Sequence, residues 1–415
     1  LIKKLHKISL LLSFVILLIV AIAQVSYGVT WNIGTLDSGG DVGAFSSIAV
    51  DASGNPHISY YDNMNKDLKY AVKSSNIWAI TTVDPDGDAG ALSSIAVDAS
   101  GNPHISYFDG TNFDLKYAVL SDGVWIIETV DSDTAVGGLS SIAVDASGNP
   151  HISYYDVSNG GLKYAVLSDG VWIIETVDSD GNVGDFSSIA VDSSGDPHIS
   201  YLDGTNFDLK YAVLSNGVWI IETVDSDGNV GALSSLAVDS SNRLHISYYD
   251  NSNSDLKYAV KSSGTWIIET VDSDGNVGDF SSIAVDASGN PHISYYDGTN
   301  FDLKYAVLSD GVWIIETVDS DGDVGVLSSI AVDSSNRLHI SYYDNMKYDL
   351  KYAVSSEPVQ PKSLSGQVVT TTVPNTVAVT TASGLQFISG ETAIIVAAFI
   401  ILVSIGVFII IQRRN

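Results

Sequence analysis

The sequence has no cysteine and few cations, and each shortage excludes something. Without cysteine there are no disulfides and no thiol chemistry, so a domain outside the cell rests on its packed core alone. Only 19 lysines and arginines stand against 49 aspartates and glutamates, a formal net charge of −30. Charge of that sign repels phosphate backbones and anionic lipid, which argues against nucleic acid as a partner and favours cations. Before the C-terminal tail the only arginines are Arg243 and Arg337, so no arginine cluster awaits a substrate carboxylate. No segment of the chain's main repeat sustains a helical period, and a helical solenoid is excluded.

What is present is repetition. Ser-Ser-(Ile/Leu)-Ala-Val-Asp begins at Ser46, Ser93, Ser140, Ser187, Ser234, Ser281 and Ser328, always 47 residues apart. Self-similarity at this period marks a repeat architecture. Each unit reads as four short strands rich in β-branched and aromatic residues. In the fourth unit they are predicted at 187–192, 198–203, 209–213 and 219–224. Turn sequences such as Asp-Ala-Ser-Gly-Asn-Pro and Ser-Asp-Gly punctuate the units. Four-stranded units of this length are propeller blades, so the fold class is all-β: a seven-bladed β-propeller over residues 29–354.

The tryptophans decide closure. They stand at 31, 78, 125, 172, 219, 266 and 313, but Trp31 precedes the first repeat and the last unit ends after Ala353-Val354 with none. The N-terminal strand 31–36 is therefore expected to complete blade seven beside 350–354. The strand with Ser46, Ser47 and Ala49 suits the crowded axis, and the tryptophan strand suits a rim core. Turns after the second and fourth strands share one face, called the top here. This closure resembles that of WD-repeat propellers, although their Gly-His and Trp-Asp dipeptides are absent. The Asp-x-Ser-Gly-Asn turns are similar to those of secreted and surface propellers related to lectin and sialidase repeats, without a full Asp-box.

The ends of the chain predict export and anchoring. Basic residues at 3, 4 and 7 precede an apolar run over 8–23 that ends Ala21-Ile22-Ala23, which reads as a signal peptide over residues 1–28. The alternative is an uncleaved anchor, for which 16 apolar residues fall short of the ~20 that span a bilayer. Residues 392–411 are uncharged and long enough to cross as a transmembrane helix, and Arg413 and Arg414 follow at once. That order leaves 412–415 in the cytoplasm and the propeller, expected to be monomeric, outside. The stretch 355–391, with Pro358, Pro361, Pro374 and many threonines, reads as a stalk open to O-glycosylation.

Candidate site residues fall into three sets. His57, His104, His151, His198, His245, His292 and His339 open the second strand of every blade. One histidine per blade cannot converge on one metal, so each is expected in a structural hydrogen-bonding set with the serine two residues on and a neighbouring aspartate. The second set is acidic and lies between blades: Asp178, Asp180 and Asn182; Asp225, Asp227 and Asn229; Asp272, Asp274 and Asn276; Asp319, Asp321 and Asp323. Oxygen donors at alternate positions suit Ca²⁺, although the spacing is not that of an EF-hand and the same residues are ordinary turn formers. The third set is Asp-Gly-Thr-Asn-Phe-Asp in blades two, four and six, with Phe113, Phe207 and Phe301 at the tips and Asp109, Asp203 and Asp297 beside them. An exposed ring next to carboxylates and amides fits a pyranose face and its hydroxyls, whereas a ring folded back is a local plug.

The blades read as nearly interchangeable, with no unique histidine and no symmetry-breaking charge on one face. A catalytic constellation needs such a break. The expectation is a non-enzymatic surface binding or adhesion protein, multivalent because its sites repeat, with a glycan or another extracellular polymer as ligand. A secreted carbohydrate-active enzyme of sialidase or lyase type and a purely architectural surface module are the alternatives.

Overall fold

The computed structural model describes residues 28–133 and 135–357. The predicted membrane span lies outside them, as do the signal peptide but for Gly28 and the stalk but for 355–357.

Blade four shows how the repeat folds. Its strands Val183–Val191, Pro197–Asp203, Asp208–Ser215 and Val218–Asp225 pair in chain order as an antiparallel meander. The second strand is buried almost throughout because neighbouring blades cover both of its faces, while half of the fourth is exposed. The inner strand starts at Val183, earlier than its serine motif predicts, and its pairing with the second strand is irregular on both sides of Asp185. Gly184 and Phe186 cause this, with φ of 103° and 51°. A Cβ on Gly184 would come within 2.7 Å of the Leu162 backbone in blade three, so only glycine lets the two blades approach this closely.

Seven such sheets form, and the last is closed as the tryptophan register predicts. Trp31–Asp37 pairs antiparallel with Asp349–Ser355, Trp31 opposite Ser355 and Ile33 opposite Ala353. The Ser356 N–H adds a bond to the Thr30 carbonyl at 2.7 Å.

Adjacent blades are joined at three radii. Near the axis, the Ser188 hydroxyl accepts the Leu236 N–H of blade five at 3.0 Å, and Ser200 and Ser234 share a hydrogen bond of 2.9 Å. At middle radius the fully buried Tyr201 donates to Asp178, the last strand residue of blade three, at 2.7 Å. The Lys210 ammonium reaches the same oxygen at 3.3 Å. Burial and the adjacent carboxylate push the Tyr201 phenol up, so it stays a donor. The set recurs at every junction, including Tyr60 with Asp37 across the closure, at 2.7 Å. At the rim Trp219 packs edge-on against Tyr164 of blade three, ring centroids 5.2 Å apart, and its indole N–H donates to Glu175 at 2.9 Å. The tryptophans, half-buried, pack against the hydrophobic clusters between blades and form the rim of the core.

The histidines are structural, with a partner the sequence did not disclose. His198 Nδ1 lies 2.6 Å from the Tyr211 hydroxyl, and Nε2 faces Asp192 at 3.6 Å. The serine two residues on, Ser200, turns instead to the next blade. Desolvation holds the His198 imidazole below its ordinary pKa against the pull of Asp192.

A chain beginning at Val42 lacks the closing strand and leaves the edge of Asp349–Ser355 open. It is expected to melt lower and aggregate, because an unpaired edge templates association; thermal melts and light scattering matching those of a chain beginning at Val29 would contradict the closure. Tyr201→Phe removes one buried donor to a carboxylate and is expected to cost about 1–3 kcal/mol in urea unfolding. An unchanged midpoint would mean that Lys210 and the Asp180 N–H hold Asp178 without the tyrosine.

Candidate ligand-binding face

The top face is built from two loops per junction that hydrogen-bond to each other. Between blades three and four the Asn182 N–H donates to Thr205 Oγ1 at 2.8 Å, and the Gly204 N–H donates to the Asn182 carbonyl at 2.8 Å. The second-strand loop is organised by Asp203, which is fully buried. Its carboxylate accepts the N–H groups of Thr205 and Asn206 and the Asn206 amide, each at 3.0 Å, with Lys210 at 3.2 Å. Burial alone would raise this carboxyl, but the bonds from Asn206 and Lys210 prevail and hold it below the usual range. Asp109 and Asp297 are bonded in the same way. These three aspartates, expected beside a ligand, point inward and build the loop, because a carboxylate at the start of a turn caps the amides that follow it.

What the loop presents is its aromatic tip. The Phe207 N–H donates to the Asp203 carbonyl at 2.7 Å, and the Phe207 carbonyl accepts Val230 N–H of blade five at 3.0 Å. This double tether holds Phe113, Phe207 and Phe301 in the left-handed region, at φ of 64°, 62° and 64°. Each ring is about half exposed, at 53%, 49% and 51%. Phe113 leans on Phe108, ring centroids 6.1 Å apart, and so is neither fully free nor a buried plug. Tyr348 occupies the same position in blade seven, with φ of 59° and 52% exposure. That fourth aromatic lies 47 residues after Phe301, and the repeat register alone would have found it. Blade three has Gly160 there, the residue that adopts this conformation without strain.

Most oxygen donors of the acidic loops are engaged within the protein. Asp178 is buried, with one oxygen taken by the Asp180 N–H at 3.0 Å and the other by Tyr201 and Lys210. Asp225, Asp272 and Asp319 are engaged alike by Tyr248, Tyr295 and Tyr342. The amide oxygens of Asn182 and Asn276 accept the hydroxyls of Tyr155 and Tyr249. Asp323 accepts from Tyr296 and from Asn345. Asp180, Asp227, Asp274 and Asp321 are exposed, Asp321 beside Lys347, and Asn229 hydrogen-bonds Ser252 through its backbone. Calcium needs six to eight oxygens. Among the described residues no group of three or more acidic or histidine side chains is placed to hold a metal.

The top face does carry a symmetry-breaking charge, contrary to the reading of interchangeable blades. The third residue of the inner strand is Ala44, Ala91, Gly138, Ala232 or Val326 in five blades but Asp185 and Asp279 in blades four and six. Each is followed by phenylalanine, and Phe186 and Phe280 line the central channel, a cavity of about 230 Å³ ringed by paired serines. Burial pushes both carboxyls up, opposed only by the N–H of the following phenylalanine at 3.1 Å. No lysine or arginine pairs with either among the described residues. Comparing the sequence Val-Gly-Asp-Phe with Val-Gly-Ala-Leu across repeats would have exposed the pair.

A carboxyl raised by burial disfavours the folded state when ionised, and the penalty disappears as pH falls through the raised pKa toward the unfolded value near 3.8. Replacing both Asp185 and Asp279 with alanine is therefore expected to raise the melting temperature at pH 7 to 8. The gain should shrink as pH falls toward 4; one that persists at pH 4 would contradict the burial of these groups.

No family model matches the chain, and no curated protein matches it. Solved structures do. A lectin of Aleuria aurantia in complex with Fucalpha1-6GlcNAc is 14% identical, the match covering 66% of this chain and 95% of the lectin, with a TM-score of 0.48. A polysaccharide lyase is 8% identical over 74% of this chain and 89% of its own, with a TM-score of 0.48. Hydrazine synthase of Kuenenia stuttgartiensis is 9% identical over 75% of this chain and 95% of its own, with a TM-score of 0.54. The last likeness shows a shared fold and nothing of shared chemistry, and the weaker two carry no argument.

Proposed function

We propose that this protein is a non-enzymatic, multivalent binding protein, displayed outside the cell, whose top face takes an extracellular glycan or similar polymer. The observation that carries the reading is the set of half-exposed aromatics in left-handed backbone: Phe113, Phe207, Phe301 and Tyr348. A side chain with a Cβ pays ~1–2 kcal/mol to sit there, and blade three uses glycine at no cost. The left-handed turn is common to the repeat, since Lys66 and Ser254 adopt it too, at φ of 63° and 62°; what sets these four blades apart is a half-exposed aromatic ring at a loop tip, where binding residues concentrate. A polymer that touches one ring reaches others without a second diffusive encounter, and linked contacts multiply apparent affinity by about 10² to 10⁴.

A second reading, a carbohydrate-active enzyme, draws on Asp185 and Asp279, whose carboxyls burial pushes up, the direction a general acid requires. It predicts release of reducing ends from polysaccharide, abolished by Asp185→Asn with Asp279→Asn.

The binding reading is tested by replacing Phe113, Phe207 and Phe301 together with glycine, the residue blade three carries. Retention of the full chain, in detergent, on a polysaccharide array is expected to fall by about 10²-fold or more as avidity is lost. The melting temperature is expected to hold or rise as strain is relieved. Undiminished retention would place the site elsewhere, and a marked fall in melting temperature would show the rings to be packing elements.

A further inference from the structure

Blade three departs from its neighbours at two places in its sequence. In the other blades the third strand opens on Asp67, Asp114, Asp208, Asp255, Asp302 or Asp349; in blade three it opens on Gly161. The loop entering blade three, Asp131-Ser132-Asp133-Thr134-Ala135, also lacks the Gly-Asn or Gly-Asp found at the six other junctions. At Gly161 there is a cavity of about 570 Å³, lined also by Asp133, Asp156, Asn159, Lys163, Thr176 and Ser179. That volume is in the range of small-molecule sites, about 300–1,000 Å³.

Its chemistry is mixed. Asp156 and Gly161 are buried at the floor, and Lys163 is half-buried, its ammonium held 2.9 Å from Asp131 and 3.6 Å from Asp156. Asn159 donates its amide to Asp156 at 3.0 Å, which turns the side chain into a fixed element of the wall. Thr176 and Ser179 bring hydroxyls at the exposed rim. Asp156, Asn159 and Lys163 are engaged with one another as their counterparts are in the other blades, so a ligand would meet the exposed hydroxyls of Thr176 and Ser179 beside the space that Gly161 leaves, a setting that suits the hydroxyls of a sugar. It does not favour a carboxylate. Two aspartates line the cavity, and in the other blades the aspartate in the corresponding seat, such as Asp208, has its carboxyl pushed up by burial and by the facing Asp203. The loop that carries Asp133 into blade three is tied to the aromatic face. Val136, which follows the entering loop, donates its N–H to the Phe113 carbonyl at 3.0 Å, and the Ala135 N–H donates to Ser158 Oγ at 3.0 Å.

We propose that blade three holds a single saccharide subsite at Gly161 that takes one uncharged pyranose unit, making one member of the repeated face unlike the rest. The proposal rests on the glycan-binding reading and adds to it a place and a class of sugar. In a polymer lying across the aromatic tips, such a subsite fixes which residue sits over blade three.

The test is titration calorimetry of the full chain in detergent with methyl glycosides of glucose, galactose, mannose and fucose, and with methyl glucuronide. At least one uncharged glycoside is expected to bind with a stoichiometry near one, and the glucuronide at least tenfold more weakly. Gly161→Asp restores the residue of the other blades and is expected to weaken that binding at least tenfold with an unchanged melting temperature. Thr176→Val, which removes a rim hydroxyl at nearly constant shape, is expected to weaken it by a smaller factor and keeps the test decisive if the first variant is unstable. Full binding by both variants overturns the subsite, and preference for the glucuronide overturns the sugar class. Binding of no glycoside also overturns the subsite, yet polysaccharide retention that depends on Phe113, Phe207 and Phe301 would still stand and mark the failure as this proposal's alone.

Discussion

Each junction of the ring hangs on a buried tyrosine hydroxyl that donates to the last aspartate of the blade before it, with a lysine closing on the same carboxylate. A carboxylate removed from water is costly unless it is paired and hydrogen-bonded, and here both conditions are met by residues of the next blade. A blade standing alone would leave the aspartate unpaired and the tyrosine without an acceptor. Polar satisfaction therefore requires the neighbour, and the ring with its borrowed N-terminal strand is the arrangement that satisfies every junction.

The same bond positions the top face. The aspartate that receives the tyrosine is also the first residue of the acidic loop, and its second oxygen fixes the next turn of backbone. From there the loop reaches across to the second-strand loop through Asn182 and Thr205, which in turn holds Phe207 in its strained conformation. Carboxylates that look available in a linear reading are thus spent on architecture. What remains to meet a ligand is the aromatic tip, the outer carboxylates and the places where one blade differs from another.

Near-perfect repetition makes differences informative. Asp185 and Asp279 introduce unpaired, raised carboxyls into two blades, Tyr348 adds an aromatic to a third, and Gly161 opens a cavity in a fourth. The two carboxyls cost stability that the other copies avoid with alanine, glycine or valine at that position. Positions that give up stability without structural return are where binding or chemistry is expected to reside.

Blade number, strand order, the closing strand, the inner place of the serines and the sharing of one face by two sets of loops were all legible in the sequence. They follow from periodicity, from the tryptophan offset at Trp31 and from meander order, which are one-dimensional facts. The direction of each polar side chain was not legible. Whether Asp203 faces solvent or the amides of its own turn, whether Asp178 meets a cation or Tyr201, and whether His198 pairs with a serine or with Tyr211 depend on which residue of the next strand or blade comes within hydrogen-bond reach. The repeat spacing fixes that a neighbour exists; only the packed ring, with blades brought close at Gly184 and its equivalents, decides which atoms meet, because a hydrogen bond is set by a few tenths of an ångström that no sequence interval encodes.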